Sequence, residues 1–236
     1  TNKLILEGLF GKTIQIASTS ELVQKKYLAN FKINCITIDH PQEDRVKNKD
    51  NNYEEEISFL ISHNLRNRFI VDLAKSTSGN CLVLFSRVET HGEVIYRMLK
   101  EATDREVYFI YGGTQTSIRE EYRKKVEEAT NAIIVASTQV FSTGINIKSL
   151  ANIIFAYPSK SRIRTLQSIG RVLRLSEKKE SSNIFDLSDD LTWKEKKNYT
   201  LNHFIERLKI YTSEEFNYAV KKIKLEDLYG RTSLEL

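Results

Sequence analysis

Apolar runs of strand length alternate with amphipathic segments of helical length from residue 80 onward, and this alternation limits the possible folds most strongly. Runs such as Cys81–Phe85 are apolar at every position, which is typical of strands buried on both faces. Helices that cover both faces of a mainly parallel sheet produce such a pattern, so we predict an open α/β fold. The predicted strands cover 81–85, 106–111, 132–136, 151–156 and 183–187, and the predicted helices 89–100 and 116–129.

The residues before this alternation are predicted to lead into the domain and to begin its sheet. Residues 1–32 are interpreted as a linker. Gly11–Thr13 matches the last three residues of a phosphate loop, Gly-Lys-Thr. However, Leu6 stands where the Walker A pattern requires its first glycine. Ile33–Ile38 alternates and is rich in β-branched residues, which predicts a strand and places the start of the domain at residue 33.

A helix start is predicted after the charged stretch that follows this strand. Asn51 and Asn52 precede apolar residues at helical spacing, and asparagine is a preferred N-cap residue. The run Glu54–Glu56 would then occupy the first helical turn, where the helix dipole favours carboxylates. A metal-binding role for these three acids is the weaker interpretation.

Composition narrows the class of protein. The chain has 236 residues, of which 40% are hydrophobic, so it can bury a full core. It carries 36 basic and 31 acidic residues, a net charge of +5 that is compatible with nucleic-acid binding without requiring it. The sequence contains no apolar run long enough for a membrane helix and no secretory leader. Cys35 and Cys81 form no C-x-x-C pair, so we expect a reduced, cytoplasmic protein without a zinc site.

The stretch Gln167–Arg174 reads Q-x-x-G-R-x-x-R and carries the most specific chemistry. On a helix, Gln167, Arg171 and Arg174 share one face, and two forked guanidinium groups one turn apart suit a phosphate. From Tyr157 to Ser176 the chain has five basic residues and no acidic one. This local imbalance favours a bound phosphate or nucleic acid over the alternative of a solvated basic helix.

Polar loops follow several of the predicted strands. These are Ser86–Arg87, Gly112–Gly113 and Ser137–Thr138. In open parallel sheets, ligands bind outside the carboxyl ends of the strands, so such loops could together follow a nucleic-acid backbone. For any single loop, ordinary turn chemistry explains the same residues equally well. Their order along the chain is what favours a binding role.

That order resembles the second RecA-like domain of superfamily 2 helicases over roughly residues 80–190. Leu82–Arg87 resembles motif IV, and Gly112 followed by Arg119 resembles the loop-and-helix block after it. Thr138–Asn146 resembles motif V and Gln167–Arg174 motif VI. Within the superfamily, the chain is similar to the phage UvsW-type recombination helicases, and this similarity extends to the tail Phe216–Tyr218.

The resemblance implies a role for each matching residue. Arg171 and Arg174 would act as arginine fingers on the γ-phosphate of ATP. Gln167, Gly144 and Asn146 would lie beside the nucleotide, although many relatives carry aspartate where Asn146 stands. The implied contacts to the DNA backbone are Ser86, Arg87, Gly112, Gly113 and Thr138. The implied fold is a RecA-like open, mainly parallel sheet.

A complete helicase also needs a phosphate loop and an acid pair that holds Mg²⁺, and neither motif is present in this sequence. We therefore expect residues 33–190 to be the carboxyl-terminal motor domain of a longer ATP-dependent DNA helicase, inactive without its amino-terminal motor domain. Its cofactor would be ATP with Mg²⁺, and its substrate branched or single-stranded DNA in recombination, repair or replication-fork rescue. A nucleic-acid-binding module without ATPase function and a nucleotide-sugar transferase remain alternatives.

The carboxyl-terminal part is less specific. Residues 191–236 are predicted to be a helical extension that packs on the same domain, with one apolar stripe near Phe204 and another over Phe216–Ile223. Asp186, Asp189 and Asp190 are interpreted as a solvated strand exit rather than a metal site. Trp193 and Tyr199 lie among lysines, and they either stack on or flank nucleic acid or pack their loop. The four histidines have no ligand spacing, and no role is assigned to them.

Overall fold

The structure, a computed structural model, describes residues 30–143, 147, 149–157 and 181–230. The strands are β1 Asn30–Asp39, β2 Asn80–Phe85, β3 Val107–Ile110, β4 Ile133–Ser137, β5 Leu150–Phe155, β6 Ser181–Asp190 and β7 Tyr218–Lys224. They form one sheet in the order β3-β4-β2-β5-β6-β1-β7, and each pair of neighbours is parallel. The predicted parallel α/β architecture is confirmed.

Helices connect the strands and cover both faces of the sheet. They are α1 Gln42–Asn48, α2 Tyr53–Ser62, α3 Asn64–Ser76, α4 Glu93–Ala102, α5 Thr116–Glu128, α6 Thr138–Thr143, α7 Tyr199–Ser213 and α8 Leu225–Tyr229. A π-helical turn, Val88–Gly92, precedes α4. Leu82 and Leu84 belong to the core on one face of the sheet, while Val83 and Phe85 belong to the core on the other. This alternation explains why β2 is apolar at almost every position.

The start of α2 confirms the predicted cap. The Asn52 side chain accepts the Glu55 backbone N–H at 3.1 Å, and the Glu55 carboxylate accepts the Asn52 N–H at 2.8 Å. This reciprocal pair is a capping box, which satisfies two backbone donors that the first helical turn leaves open. The acids Glu54–Glu56 occupy that turn, as expected.

The predicted second helical stripe over Phe216–Ile223 is wrong, because this segment forms the strand β7. Helix α7 ends at Ser213, and Glu215 then adopts a left-handed backbone with φ of 55° that reverses the chain. The Ile33 N–H donates to the Asn217 carbonyl at 2.9 Å, and β7 continues this pairing along β1. The open edge of β1 offers backbone hydrogen bonds that a helix at this position would leave unmade, so pairing overrides the helical spacing.

The sheet therefore extends beyond the predicted domain limits. Strand β1 begins at Asn30 rather than Ile33, and the segment after residue 190 contributes β7 as well as α7. Nearly all of the predicted linker over residues 1–32 lies outside the described residues. Among the described helices, none is both long and apolar enough to cross a bilayer.

Candidate functional site

The loops predicted to bind a nucleic-acid backbone lie side by side on one edge of the sheet. Because all described pairings are parallel, the carboxyl ends of the strands share that edge. Gly112 and Gly113 follow β3, Thr138 follows β4, and Ser86 and Arg87 follow β2, and these three strands are neighbours. The fold thus brings together five residues that are up to 52 positions apart in sequence. We call this surface the β3–β4–β2 edge.

Arg119 holds the glycine loop in place. Its guanidinium donates to the Gly112 carbonyl at 2.7 Å and to the Thr114 carbonyl at 2.7 Å. The Thr114 hydroxyl in turn accepts the Tyr111 N–H at 3.0 Å. Gly112 is exposed, and a Cβ built there would meet no atom within 4 Å. A backbone or phosphate can therefore approach this loop closely.

The two residues after β2 differ in what they present to solvent. The Ser86 hydroxyl is buried, with no hydrogen-bond partner among the described residues. The Arg87 guanidinium donates to the Ser58 hydroxyl at 3.2 Å and forms an ion pair with Glu54, and its side chain is 38% exposed. Arg87 is therefore the group of this loop that a ligand can reach. Thr138 is the half-exposed first residue of α6 and follows the buried Ser137.

The nucleotide half of the prediction lies outside the described residues. Gly144, Asn146, Gln167, Arg171 and Arg174 fall in the ranges 144–146 and 158–180. Of the described residues that flank these ranges, Tyr157 follows β5, a neighbour of β2, and Thr143 is the last residue of α6, which follows β4. The roles of these five residues stay predictions.

A buried ion network, which sequence reasoning missed, lies at the ends of β5, β6 and β1. Arg66 on α3 donates from Nε to the Asp189 carboxylate at 2.8 Å and from Nη2 to the Ala156 carbonyl at 2.9 Å. His40 Nε2 lies 2.9 Å from the same Asp189 oxygen. Asp189 has no exposed surface, so its interpretation as a solvated strand exit is wrong. Burial works against the ionised carboxylate, but Arg66 and His40 outweigh it and hold the pKa of Asp189 below its usual range.

Asp186 is likewise buried rather than solvated. Its carboxylate accepts two hydrogen bonds from Arg207 on α7, at 2.8 Å from Nε and 2.8 Å from Nη2, and a third from the Tyr211 hydroxyl at 2.8 Å. This bidentate pair joins α7 to the middle of the sheet. Both charged groups are almost fully buried. Asp190 differs, because its carboxylate lies nearer the surface and accepts from Lys222 at 2.9 Å.

His40, Asp44 and His63 form a cluster whose ligand atoms all lie within 4.8 Å, as a metal site would require. The hydrogen bonds argue against a metal. His63 Nδ1 accepts the Arg66 backbone N–H at 3.2 Å, so this nitrogen carries no proton and Nε2 must carry it. That proton points to Asp44 at 2.9 Å, which makes Nε2 a donor rather than a metal ligand. The hydrogen bond from His63 to Asp44 ties α1 to the start of α3, while His40 Nδ1 lies 3.7 Å from Asp44, beyond hydrogen-bond distance.

Comparison with known proteins identifies relatives of this chain. The profile of the helicase conserved C-terminal domain family matches residues 65–176. The ATP-dependent DNA helicase uvsW of Enterobacteria phage T4 is 36% identical over 231 residues, which cover 92% of this chain and 46% of that protein. The putative helicase 22 of a Sulfolobus islandicus filamentous virus is 25% identical over 199 residues, or 78% of this chain and 35% of that protein. The chain thus spans less than half the length of both relatives.

Solved structures agree with this relationship. The crystal structure of T4 UvsW has a TM-score of 0.72 with 35% identity, covering 84% of this chain and 42% of that chain. The carboxyl-terminal domain of the DEAD-box protein Dbp5 has a TM-score of 0.55 at 13% identity, covering 86% of this chain and 93% of that domain. The DNA-bound restriction-modification enzyme LlaBIII has a TM-score of 0.59 at 14% identity, covering 93% of this chain and 17% of that chain. The last two similarities concern the fold alone.

Proposed function

Because this chain belongs to the family of helicase carboxyl-terminal domains, we propose that it is the second motor domain of an ATP-dependent DNA helicase. In this proposal it works together with an amino-terminal motor domain of the same protein. That domain would provide the phosphate loop and the acids that hold Mg²⁺. The helicase family match and the similarity to uvsW favour this function over a nucleotide-sugar transferase.

The DNA part of the proposal rests on one observation, the adjacency of three separate loops on the β3–β4–β2 edge. A DNA backbone that crosses this edge would meet the amides of Gly112 and Gly113, then the Thr138 hydroxyl, then Arg87. These are a backbone donor, a neutral donor and a permanent charge, the groups that bind phosphate oxygens without reading sequence. Such contacts give weak, sequence-independent binding that salt reduces steeply. Branched DNA in recombination, repair or replication-fork rescue would be the substrate.

The nucleotide part rests on the motif resemblance. Arg171 and Arg174 would contact the γ-phosphate of ATP, with Gln167, Gly144 and Asn146 beside the nucleotide. ATP supplies the phosphoryl group whose hydrolysis drives the motor. The segment from Tyr157 to Ser176 fits an anionic ligand, since it has five basic residues and no acidic one. Closure of the cleft around the nucleotide would shift one DNA-binding surface against the other.

The test requires a protein that contains both motor domains. Arg171→Ala or Arg174→Ala should lower kcat of DNA-stimulated ATP hydrolysis by about 10³-fold or more, because an arginine finger stabilises charge only in the transition state. DNA affinity should stay within about twofold at fixed salt, since in this proposal the two arginines contact ATP and not the DNA backbone. Lysine at either position should restore little, because an ammonium lacks the planar two-point geometry.

Thr138→Ala should give the opposite result, with weaker DNA binding and weaker stimulation but an intact basal ATPase. Lys100→Ala is the matched control for the two arginine variants, because it also removes one positive charge. This exposed residue lies in the last turn of α4, which runs back toward the opposite edge of the sheet. It should change neither measurement. If Arg171→Ala abolishes DNA binding while ATP turnover persists, the finger assignment is wrong and Arg171 belongs to the DNA surface.

A further inference from the structure

Four aromatic side chains form a cluster that continues the β3–β4–β2 edge. The Tyr53 ring lies 6.0 Å from the Tyr199 ring and 5.4 Å from the His203 ring, both in edge-on geometry. The Tyr53 hydroxyl lies 3.5 Å from the Tyr157 hydroxyl. Tyr199 is 43% exposed, which makes it one of the few large apolar side chains on the described surface. We call Tyr53, Tyr157, Tyr199 and His203 the aromatic cluster.

The cluster is contiguous with the proposed DNA surface through helix α2. Tyr157 follows β5, which is the neighbour of β2 in the sheet. Tyr53 is the first residue of α2, and the same helix contributes Glu54 and Ser58, which hold Arg87. A strand that passes Arg87 would therefore reach the aromatic rings next. Along the edge, the distance from β3 to β6 is four strand spacings, or about 19 Å.

A buried carboxylate fixes the position of Tyr199. Glu56 accepts the Tyr199 N–H at 2.9 Å, the Thr200 N–H at 2.8 Å and the Asn198 side-chain amide at 2.9 Å. Glu56 is only 3% exposed, so these bonds are shielded from water. The Glu56 carboxylate thus occupies the amino terminus of α7, where an anionic ligand could otherwise bind. The exposed Tyr199 ring is therefore the group that can contact a ligand. The ring is held in advance, so binding has little ordering cost.

A basic turn lies beside the cluster, at the end of β6. Trp193 and Lys196 exchange two backbone hydrogen bonds of 3.1 Å and 3.0 Å, which close a tight turn. Lys194, Lys196 and Lys197 are exposed. Among the described residues, no carboxylate lies within ion-pair distance of Lys194 or Lys197. Glu195 lies between these lysines in sequence. Lys196 Nζ donates to the Lys49 carbonyl at 3.0 Å, and the exposed Asp50 carboxylate lies 3.9 Å from Lys49 Nζ.

We propose that the aromatic cluster and the basic turn form a base-stacking site for single-stranded DNA. A base would stack on the Tyr199 ring while the flanking phosphates meet Lys196 and Lys197. The exposed Tyr199 ring lies beside lysines that have no carboxylate partner among the described residues, which suits a single strand, because its bases are free to stack and stacking tolerates every base. A duplex hides its bases, so it gains only the charge contacts. This inference rests on the proposed function and extends its DNA surface from β2 to β6.

The test measures binding of the 236-residue chain to labelled oligothymidylate by fluorescence anisotropy. Tyr199→Ala should weaken binding about tenfold, the effect of one lost base stack. Tyr199→Phe should stay within about twofold, because the ring remains. An abasic oligonucleotide of the same length carries the same phosphates without bases, so wild type and Tyr199→Ala should bind it equally. Removing both Lys196 and Lys197 should weaken binding of both ligands and lower the salt slope by about 1.4.

Leu228→Ala is the matched control, since Leu228 is 51% exposed and lies on α8, outside the cluster. It should bind as wild type does. Equal weakening of the thymidylate and abasic complexes by Tyr199→Ala would assign Tyr199 a structural role and overturn the stacking site. Wild-type affinity of Tyr199→Ala, combined with weak binding by Thr138→Ala, would overturn the stacking site and leave the proposed function intact. Tighter binding of oligouridylate than of oligothymidylate would overturn the assignment to DNA.

Discussion

The two halves of the carboxyl edge of the sheet both contain charged side chains, but only one half exposes them to solvent. On the β3–β4–β2 side, Arg87 and the glycine loop remain accessible. On the β6–β1 side, Asp189 and His40 are sealed inside the molecule, together with Arg66. In both halves these residues, apart from Arg66, lie at the carboxyl ends of strands. The covering helices differ, because α3 supplies Arg66 to this second half. Accessibility therefore distinguishes the proposed binding surface from the buried ion network.

The buried half also has a mechanical consequence for the exposed half. Arg66 joins the carboxyl ends of β5 and β6, since it binds the Ala156 carbonyl and the Asp189 carboxylate at once. Ala156 lies two residues before the range 158–180, which contains the predicted arginine fingers. The network therefore fixes the point from which that segment leaves the sheet.

The largest effect is expected from breaking the buried pair on α7. Asp186→Ala should lower the free energy of unfolding by about 3–5 kcal/mol, because it leaves the buried Arg207 charge uncompensated. Chemical denaturation of the purified chain measures this. Glu206→Ala is the matched control on the same helix, since its pair with Lys209 is 63% and 68% exposed and should contribute at most about 1 kcal/mol. Similar losses in both variants would contradict the distinction between buried and exposed pairs.

A double variant sharpens this result. Asp186→Leu combined with Arg207→Met removes both charges, so the uncompensated ion disappears and most of the lost stability should return. A double variant as unstable as Asp186→Ala would show that the hydrogen bonds themselves, including the one from Tyr211, hold α7 in place.

The sequence predicted the exposed half well because its signals are local. The apolar run Cys81–Phe85 identifies a buried strand by itself, and the polar residues that follow it end the strand. Parallel pairing then brings such loops to one edge without further information. Strand β7 could not be found in this way, since Val220 is 54% exposed and the segment becomes a strand only through pairing with β1.

The buried charges have a signal in the amino-acid sequence. Arg66, Ile70 and Ala74 are four residues apart, so an arginine occupies the apolar face of α3. Arg207 lies three residues after Phe204 and four before Tyr211, so it also shares a face with buried residues of α7. A charged residue on a buried stripe requires a buried partner of opposite charge. The pairing of each arginine with its aspartate on β6 depends on how the helices pack on the sheet. Neither segment alone contains that information.

Two buried histidines have pKa values shifted in opposite directions. Burial opposes the charge on His40, but Asp189 at 2.9 Å and Asp44 at 3.7 Å outweigh it and raise its pKa above 6.5. Burial, reinforced by Arg66, lowers the pKa of His91 to about 3. The His40 contribution is complete below pH 6.5 and is lost as the pH rises through its folded pKa. The His91 contribution is lost as the pH falls below 6.5, because only the unfolded chain then binds the proton.

The free energy of unfolding should therefore be greatest near pH 6.5 within the range of about pH 5 to 8. Urea denaturation across that range measures the profile. His40→Gln should flatten its alkaline side and His91→Leu its acidic side. The leucine should fold well, because neither ring nitrogen of His91 has a hydrogen-bond partner among the described residues. If the slope of the free energy of unfolding against pH is unchanged in either variant, that histidine is not the source of the pH dependence.

The smallest effect is expected where the exposed half contains its own ion pair. Glu54 forms an ion pair with Arg87 at the β3–β4–β2 edge, with side chains 70% and 38% exposed, so in the proposed function it would compete with a DNA phosphate for the same guanidinium. Glu54→Gln should change the free energy of unfolding by less than about 1 kcal/mol, as exposed pairs do. It should also tighten DNA binding by about two- to fivefold at low salt, because it removes a nearby negative charge and releases Arg87. Glu120→Gln is the matched control, since Glu120 pairs with Arg123 on α5 at 2.9 Å. Tighter DNA binding by both variants would indicate a general effect of net charge. Unchanged DNA affinity in Glu54→Gln would show that Arg87 is not part of the DNA-binding surface.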